Sequence, residues 1–84
     1  MPTRFEFFHL IADPPSARVR KWIEQHGLLP QVRFRNLTFD EVKADFAARG
    51  GTAAPALWDG ERLEQGADAV LARLEAFQSK VSPA

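Results

Sequence analysis

The sequence contains no cysteine among its 84 residues. This absence excludes disulfide bonds, thiolate metal sites and cysteine nucleophiles together, although it does not decide the cellular compartment. The two histidines, His9 and His26, stand apart in the sequence and do not have the spacing of metal ligands. We therefore expect neither a metal site nor thiol chemistry from side chains of this protein.

An excess of charge of either sign is also lacking. Eleven basic and eleven acidic side chains cancel, and no long block of one sign occurs. A protein that binds nucleic acid or an anionic membrane would show a basic stripe, so we expect neither partner. The sequence contains no apolar run of about 18 residues and no signal-peptide pattern. These absences predict a soluble, cytoplasmic protein.

The apolar residues that are present are sufficient for one small core. Hydrophobic residues make up 45% of the chain and include seven phenylalanines and two tryptophans. A chain of this length forms a single domain near the lower size limit for independent folding. We expect that domain to cover residues 1–78 and the last residues, 79–84, to fray.

The hydrophobic pattern predicts the element order β-α-β-α-β-β-α. The first strand ends apolar on both faces, up to Ile11, and is therefore expected to be covered on both sides. A helix joins the first two strands, which should be parallel, whereas Asp59 and Gly60 form the turn of an antiparallel hairpin. The four predicted strands lie in residues 3–11, 31–37, 55–59 and 61–64.

The second predicted strand alternates between apolar and basic residues. Val32 and Phe34 point to one face, and Arg33 and Arg35 point to the other. We expect the arginine face to be solvated and the strand to lie near an edge of the sheet. At the end of the first strand, His9 is expected to be a partly buried, hydrogen-bonded histidine rather than a catalytic base.

Three predicted helices complete the α/β plan of a mixed four-stranded sheet with flanking helices. Asp13 is the expected N-cap of the first helix, with Pro14 at the first helical position and Gly27 after the last turn. Thr38 and Glu41 have the spacing of a capping box for the second helix. The third helix carries its apolar stripe at residues 67, 70, 71, 74 and 77.

This order, together with the segment TAAPALWDGERLEQGADAVLARL, resembles the thioredoxin-like fold. More narrowly, it is similar to the glutaredoxins and to the N-terminal domain of glutathione S-transferases. The transferase pattern is Pro-x-Leu-x-Asp-Gly-x-x-Leu-x-[Glu/Gln]-Ser. The present chain matches it at Pro55, Leu57, Asp59, Gly60, Leu63 and Gln65, and has Gly66 where serine is usual. The resemblance covers nearly the whole chain.

The resemblance implies a glutathione site in the second half of the chain. Pro55 would be the family's cis proline, since an X–Pro bond adopts cis at modest cost, and Ala54 would pair its backbone with the cysteinyl part of glutathione. Gln65 and the Gly66 N–H would receive the γ-glutamyl end, and Asp68 would meet the ammonium group. The residues by themselves equally fit the start of a helix, with Asp68 favoured there by the helix dipole.

The segment Asp13-Pro14-Pro15-Ser16 falls where glutaredoxins carry Cys-Pro-x-Cys. A carboxylate cannot form a mixed disulfide and a serine cannot resolve one, so a monothiol or dithiol redox cycle is excluded for this chain acting alone. A carboxylate facing a bound thiolate would raise the pKa of the thiol. Ser16 lies one turn further into the helix and could activate a bound thiol only if the ligand sits differently, and Asp13 is best explained as an N-cap.

Three functional hypotheses follow, and none includes a catalytic residue that the sequence establishes. The first is a non-redox module that binds glutathione or a related thiol or peptide weakly, with no other cofactor. The second is a small glutathione-dependent transferase or isomerase that uses Ser16 or a backbone N–H. The third is a protein-interaction module that keeps only the fold. The candidate ligand-binding residues are Asp13, Ser16, Ala54, Pro55, Gln65 and Asp68.

Overall fold

The computed structural model describes residues 4–81 and shows the predicted order of strands and helices. One short 3-10 turn, Leu29–Gln31, precedes the second strand and was not predicted. The strands are β1 (Phe5–His9), β2 (Val32–Asn36), β3 (Ala56–Trp58) and β4 (Leu63–Gln65), and the helices are α1 (Pro14–Gln25), α2 (Asp40–Ala48) and α3 (Ala67–Val81). Within residues 4–81, no helix has the length and apolar character needed to cross a membrane.

The four strands form one mixed sheet in the order β2-β1-β3-β4. β1 runs parallel to β2 and antiparallel to β3, and β3 and β4 form an antiparallel pair. The prediction of a mixed four-stranded α/β sheet is confirmed, and so is the position of β2 at an edge. β1, which contributes three phenylalanines, lies inside the sheet.

Two apolar clusters lie on opposite faces of the sheet. On one face, β1 and β3 pack against α1 and α3, and the cluster consists of Phe5, Phe7, Val19, Ile23, Leu28, Val32, Leu57, Val70, Leu71, Leu74 and Phe77. On the other face, Phe8 and Ala56 pack with Val42 of α2 and with Leu37. The alternation of side chains along β1 therefore supplies both clusters.

The ends of α1 form as predicted. The Asp13 carboxylate accepts a hydrogen bond from the Ser16 N–H at 3.0 Å, which is the N-cap interaction. Gly27 follows the helix with φ +69°, a left-handed conformation that favours glycine. Both helix ends are specified by interactions within a few residues of one another.

The predicted capping box of α2 is wrong. The N-cap position is Phe39, and no side chain caps the helix there. Instead, the Thr38 N–H donates to the Asn36 side-chain oxygen at 2.9 Å, which forms a turn directly after β2. The helix therefore begins one residue later, beyond the reach of the Thr38–Glu41 pattern.

Other predicted boundaries also shift. β1 ends at His9, and the side chains of Leu10 and Ile11 are 38% and 60% exposed because both residues belong to the following loop. The hairpin turn is longer than predicted, since Asp59 Oδ1 accepts from the Arg62 N–H at 2.9 Å and β4 starts only after it. α3 continues to Val81, beyond the predicted boundary at residue 78, and residues 82–84 of the predicted frayed tail lie outside the described residues.

The prediction that the arginine face of β2 is solvated is wrong for Arg35. Its side chain is only 10% exposed, because its guanidinium donates to Glu6 of β1 and to Asp45 of α2, the latter at 2.6 Å. The hydrogen bond to Asp45 is the largest cause that raises the pKa of Arg35. Arg33 remains exposed as predicted.

Candidate functional site

An open cleft of about 690 Å³ lies at the end of the sheet where α1 and α3 begin. Its lining comes from the first turn of α1, the loop before β3 and the start of α3. The lining residues are Pro14, Pro15, Arg18, Ala54, Pro55, Gln65, Gly66, Ala67, Asp68 and Ala69. We call it the helix-start cleft. Four of the six candidate ligand-binding residues line it: Ala54, Pro55, Gln65 and Asp68.

The loop before β3 is held by the side chain of Gln65. The Gln65 Oε1 accepts hydrogen bonds from the Thr52 N–H at 2.8 Å and from the Ala53 N–H at 2.9 Å. The Ala54–Pro55 peptide bond that follows is cis. Gln65 therefore shapes the wall of the cleft, and its oxygen is already used inside the protein.

The start of α3 explains why glycine stands where the transferase pattern has serine. Gly66 has φ +92°, a conformation that side-chain-bearing residues rarely adopt. Its N–H donates to the Pro55 C=O at 2.8 Å, so the expected role of that N–H in meeting a ligand carboxylate is corrected. The first helical bond runs from the Val70 N–H to the Gly66 C=O at 3.0 Å. The amides of residues 67–69 thus have no partner within the helix and are available to an anion.

An exposed ion pair lies at the rim of the cleft. Arg18 Nη1 donates to Asp68 Oδ1 at 3.3 Å, with the side chains 62% and 94% exposed. Such a pair contributes about 0–1 kcal/mol, so a ligand can separate it at little cost. Asp68 was predicted to lie at the site, whereas Arg18 was missed because helical spacing places it on the polar side of α1.

Asp13 and Ser16 do not line the cleft. Ser16 is fully buried, and its hydroxyl donates to Asp13 Oδ2 at 2.7 Å and accepts from the Leu10 N–H at 3.2 Å. Both interactions direct the hydroxyl into the protein. The hypothesis that Ser16 contacts or activates a bound thiol is therefore corrected, and the first turn of α1 reaches the cleft through Pro14 and Pro15 instead.

Ser16→Ala is expected to lower the free energy of unfolding by about 1–3 kcal/mol, because the Leu10 N–H loses its acceptor and the Asp13 carboxylate loses a donor. Urea unfolding measured by tryptophan fluorescence tests this. Ser79→Ala, at an exposed position of α3, serves as the control and should leave stability nearly unchanged. An equal effect of both substitutions would contradict the buried role of Ser16.

His9 is buried as predicted, with 3% of its surface exposed. Its Nδ1 lies 3.0 Å from Arg20 Nη1, and its ring stacks on Phe7 and meets Phe34 edge-on. Because arginine only donates, Nδ1 is the acceptor and the proton of the neutral ring is assigned to Nε2. Burial, and then the charge of Arg20, lower the pKa of His9. Arg20 also donates to the Leu10 carbonyl at 3.1 Å, so the pair fixes the loop after β1.

Comparisons with known proteins identify the fold. No protein-family model matches the chain, and a search of curated proteins finds no match. Among solved structures, the buckwheat glutaredoxin–glutathione complex is similar with a TM-score of 0.65 and 18% identity, over 89% of this chain and 71% of that one. Wheat glutaredoxin gives a TM-score of 0.65 and 18% identity, over 88% of this chain and 71% of its own.

The holo form of glutaredoxin C1 from Populus tremula × tremuloides is similar in the same way. It has a TM-score of 0.65 and 16% identity, and the match covers 90% of this chain and 71% of that protein. Identities this low establish the fold and leave function to be argued from the site. The absence of cysteine is a clear chemical difference from a thiol enzyme. The chain therefore has the thioredoxin-like fold of the glutaredoxins.

Proposed function

We propose that this protein is a non-redox thioredoxin-fold module that binds a small thiol or peptide ligand in the helix-start cleft, with glutathione as the first ligand to test. The observation that mainly supports this proposal is the exposed Arg18–Asp68 ion pair at the rim of that cleft. A thiol–disulfide cycle is excluded for the chain alone, because it has no sulfur nucleophile.

The ion pair offers both charges that an amino-acid end group requires. A zwitterionic ligand presents a carboxylate and an ammonium group, which complement the Arg18 guanidinium and the Asp68 carboxylate. The ligand replaces a surface ion pair worth about 0–1 kcal/mol, so separating the pair costs little. The free amides in the first turn of α3 favour a carboxylate at the same end of the cleft.

The opposite wall supports binding of an extended peptide backbone. The loop of residues 52–55 is held by Gln65 and by the bond from the Gly66 N–H to the Pro55 C=O. A wall that is already ordered loses little conformational entropy when a ligand binds. The glutaredoxin of similar fold from buckwheat was solved in complex with glutathione, which supports the choice of test ligand.

The ligand is expected to bind weakly and without covalent attachment. The cleft is open, its ion pair is solvent-exposed, and no side chain of the protein can form a mixed disulfide. A Kd of about 1 mM corresponds to only about 4 kcal/mol of binding free energy. The alternative of a transferase or isomerase that uses the Ser16 hydroxyl has no support in the geometry, since that hydroxyl is buried.

Titration of 15N-labelled protein with reduced glutathione, to about 10 mM, tests the proposal. We expect amide shift changes at Arg18 and in residues 54–55 and 65–69. Because glutathione carries two carboxylates and one ammonium group, Arg18→Glu should weaken binding about fivefold or more. Lys21→Glu makes the same charge change on an exposed residue of α1 outside the cleft and serves as the control.

Two results would reject the proposal. One is the absence of shift changes around the cleft at the highest glutathione concentration. The other is an equal loss of binding in Arg18→Glu and Lys21→Glu, since that would mean that net charge rather than the cleft determines binding. S-methylglutathione should bind equally well if the backbone and end groups, and not the thiol, are recognised.

A further inference from the structure

The outer edge of β2 is a second surface feature, and it plays no part in the proposed function. Within residues 4–81, β2 pairs only with β1. The Leu37 N–H donates to the His9 C=O at 2.9 Å. This bond and the β1–β2 register determine which residues of β2 form backbone hydrogen bonds with β1. Successive residues of a strand direct their backbone N–H and C=O groups to opposite sides. The backbone groups of Arg33 and Arg35 therefore point to β1, and those of Phe34 point to the open edge.

The open edge presents a set of backbone groups suited to one more strand. The Val32 N–H is already bound to the Leu29 C=O, and the Asn36 C=O is bound to the Phe39 N–H at 3.2 Å. The alternation therefore leaves four free backbone groups directed outwards, namely the Val32 C=O, the N–H and C=O of Phe34, and the Asn36 N–H. An antiparallel strand can exchange two hydrogen bonds with Phe34 and make one more at each side.

The side chains of β2 protect this edge less than the sequence indicates. Charged residues on an edge strand normally discourage pairing with another chain. The Arg35 side chain, however, pairs with Glu6 and Asp45 and is only 10% exposed. Of the two arginines of β2, only Arg33 remains exposed, and among residues 4–81 it makes no salt bridge. Phe34, on the other face, is 38% exposed and rests against the rings of Phe7 and His9.

We propose that the β2 edge binds an extended acidic segment of a partner protein, which adds to the sheet as a fifth, antiparallel strand. The residue opposite Phe34 lies on the same face and is apolar or aromatic, because it packs on the exposed Phe34 ring. The residue opposite Arg33 lies on the other face and is acidic. The partner sequence is therefore an alternation of apolar and acidic residues.

Charge complementarity favours this partner over a second copy of the chain. Arg35 and Arg49 pair with the carboxylates of Glu6 and Asp45, whereas Arg33 pairs with neither, which leaves one arginine in excess among these five side chains. Two β2 strands paired antiparallel around Phe34 would place Arg33 opposite Arg35 at both ends. Like charges directly opposite one another destabilise a strand pair.

The test uses an acetylated, amidated peptide of five residues in which glutamate and valine alternate, titrated into 15N-labelled full-length protein. We expect shift changes confined to residues 32–36 and slower exchange of the Phe34 amide hydrogen. Arg33→Glu should weaken binding about fivefold or more, and a peptide with lysine in place of glutamate should then recover it. Lys21→Glu, on an exposed part of α1, is the control and should bind the original peptide normally.

Phe34→Pro provides a second variant, because it removes the outward N–H without removing a ladder bond to β1. It should fold and should lose the peptide. The proposal is overturned by no shift changes, by changes that map to the helix-start cleft, or by retained binding in Arg33→Glu. It is also overturned if sedimentation shows concentration-dependent dimers whose interface maps to β2, since the occupant would then be a second copy.

Discussion

Leu57→Ala is expected to lower the free energy of unfolding by about 2–5 kcal/mol. Leu57 lies in β3, is fully buried, and packs in the cluster that joins the sheet to α1 and α3. The substitution removes most of a core side chain where the neighbouring backbone is held by pairing with β1 and β4, so the cavity cannot close by relaxation. An 84-residue domain has roughly 4–12 kcal/mol of total stability, so this one change approaches the limit of folding.

Urea unfolding followed by tryptophan fluorescence measures the loss. Leu29→Ala is the matched control, because Leu29 is 49% exposed in the short turn before β2. We expect it to change stability by about 0.5 kcal/mol or less. Leu57→Val, a smaller truncation, gives a measurable value if the alanine variant does not fold. A loss below about 1 kcal/mol for Leu57→Ala would contradict the buried position of Leu57.

Glu6→Gln is expected to lower the free energy of unfolding by about 2 kcal/mol. The Glu6 carboxylate accepts from Arg35 and, at 2.8 Å, from Arg49, which links β1 to β2 and to the end of α2. The Arg35 side chain is 10% exposed and would be left with Asp45 as its one acidic partner. The expected loss is smaller than that for a fully buried pair, because the Glu6 side chain is 20% exposed and water replaces part of the interaction.

Glu64→Gln is the matched control for this prediction. Glu64 pairs with Arg62 at 3.3 Å, and the arginine is 77% exposed. A surface pair of this kind contributes about 0–1 kcal/mol, so the substitution should have little effect in the same urea experiment. Equal losses in the two variants would show that the Glu6 pairing adds no more than a surface salt bridge.

Much of the fold could be predicted from the sequence, because it rests on local patterns. The N-cap at Asp13 and the end of α1 at Gly27 depend on residues within a turn of one another. The alternation in β2 predicted an edge strand, and the sheet order confirms it. The capping box at Thr38 failed even though it is a local pattern, since the Asn36 side chain competes for the Thr38 N–H.

The candidate site could be predicted only in part. The second half of the chain indicated the cleft residues Ala54, Pro55, Gln65 and Asp68, which the structure brings together. Arg18 was not predicted, because its contact with Asp68 joins positions 50 residues apart. No periodicity in a single sequence carries that information, since the contact depends on how α1 and α3 pack.

The sequence by itself determined the chemistry that this protein lacks. Without cysteine, the chain has no thiol nucleophile and cannot form a mixed disulfide, whatever its tertiary structure. Only the tertiary structure decided that Ser16 turns inwards, that Arg35 is withdrawn from the edge of the sheet, and that the rim of the cleft carries an ion pair. Composition fixes which reactive groups exist, whereas packing of elements distant in the chain decides which of them face solvent and one another.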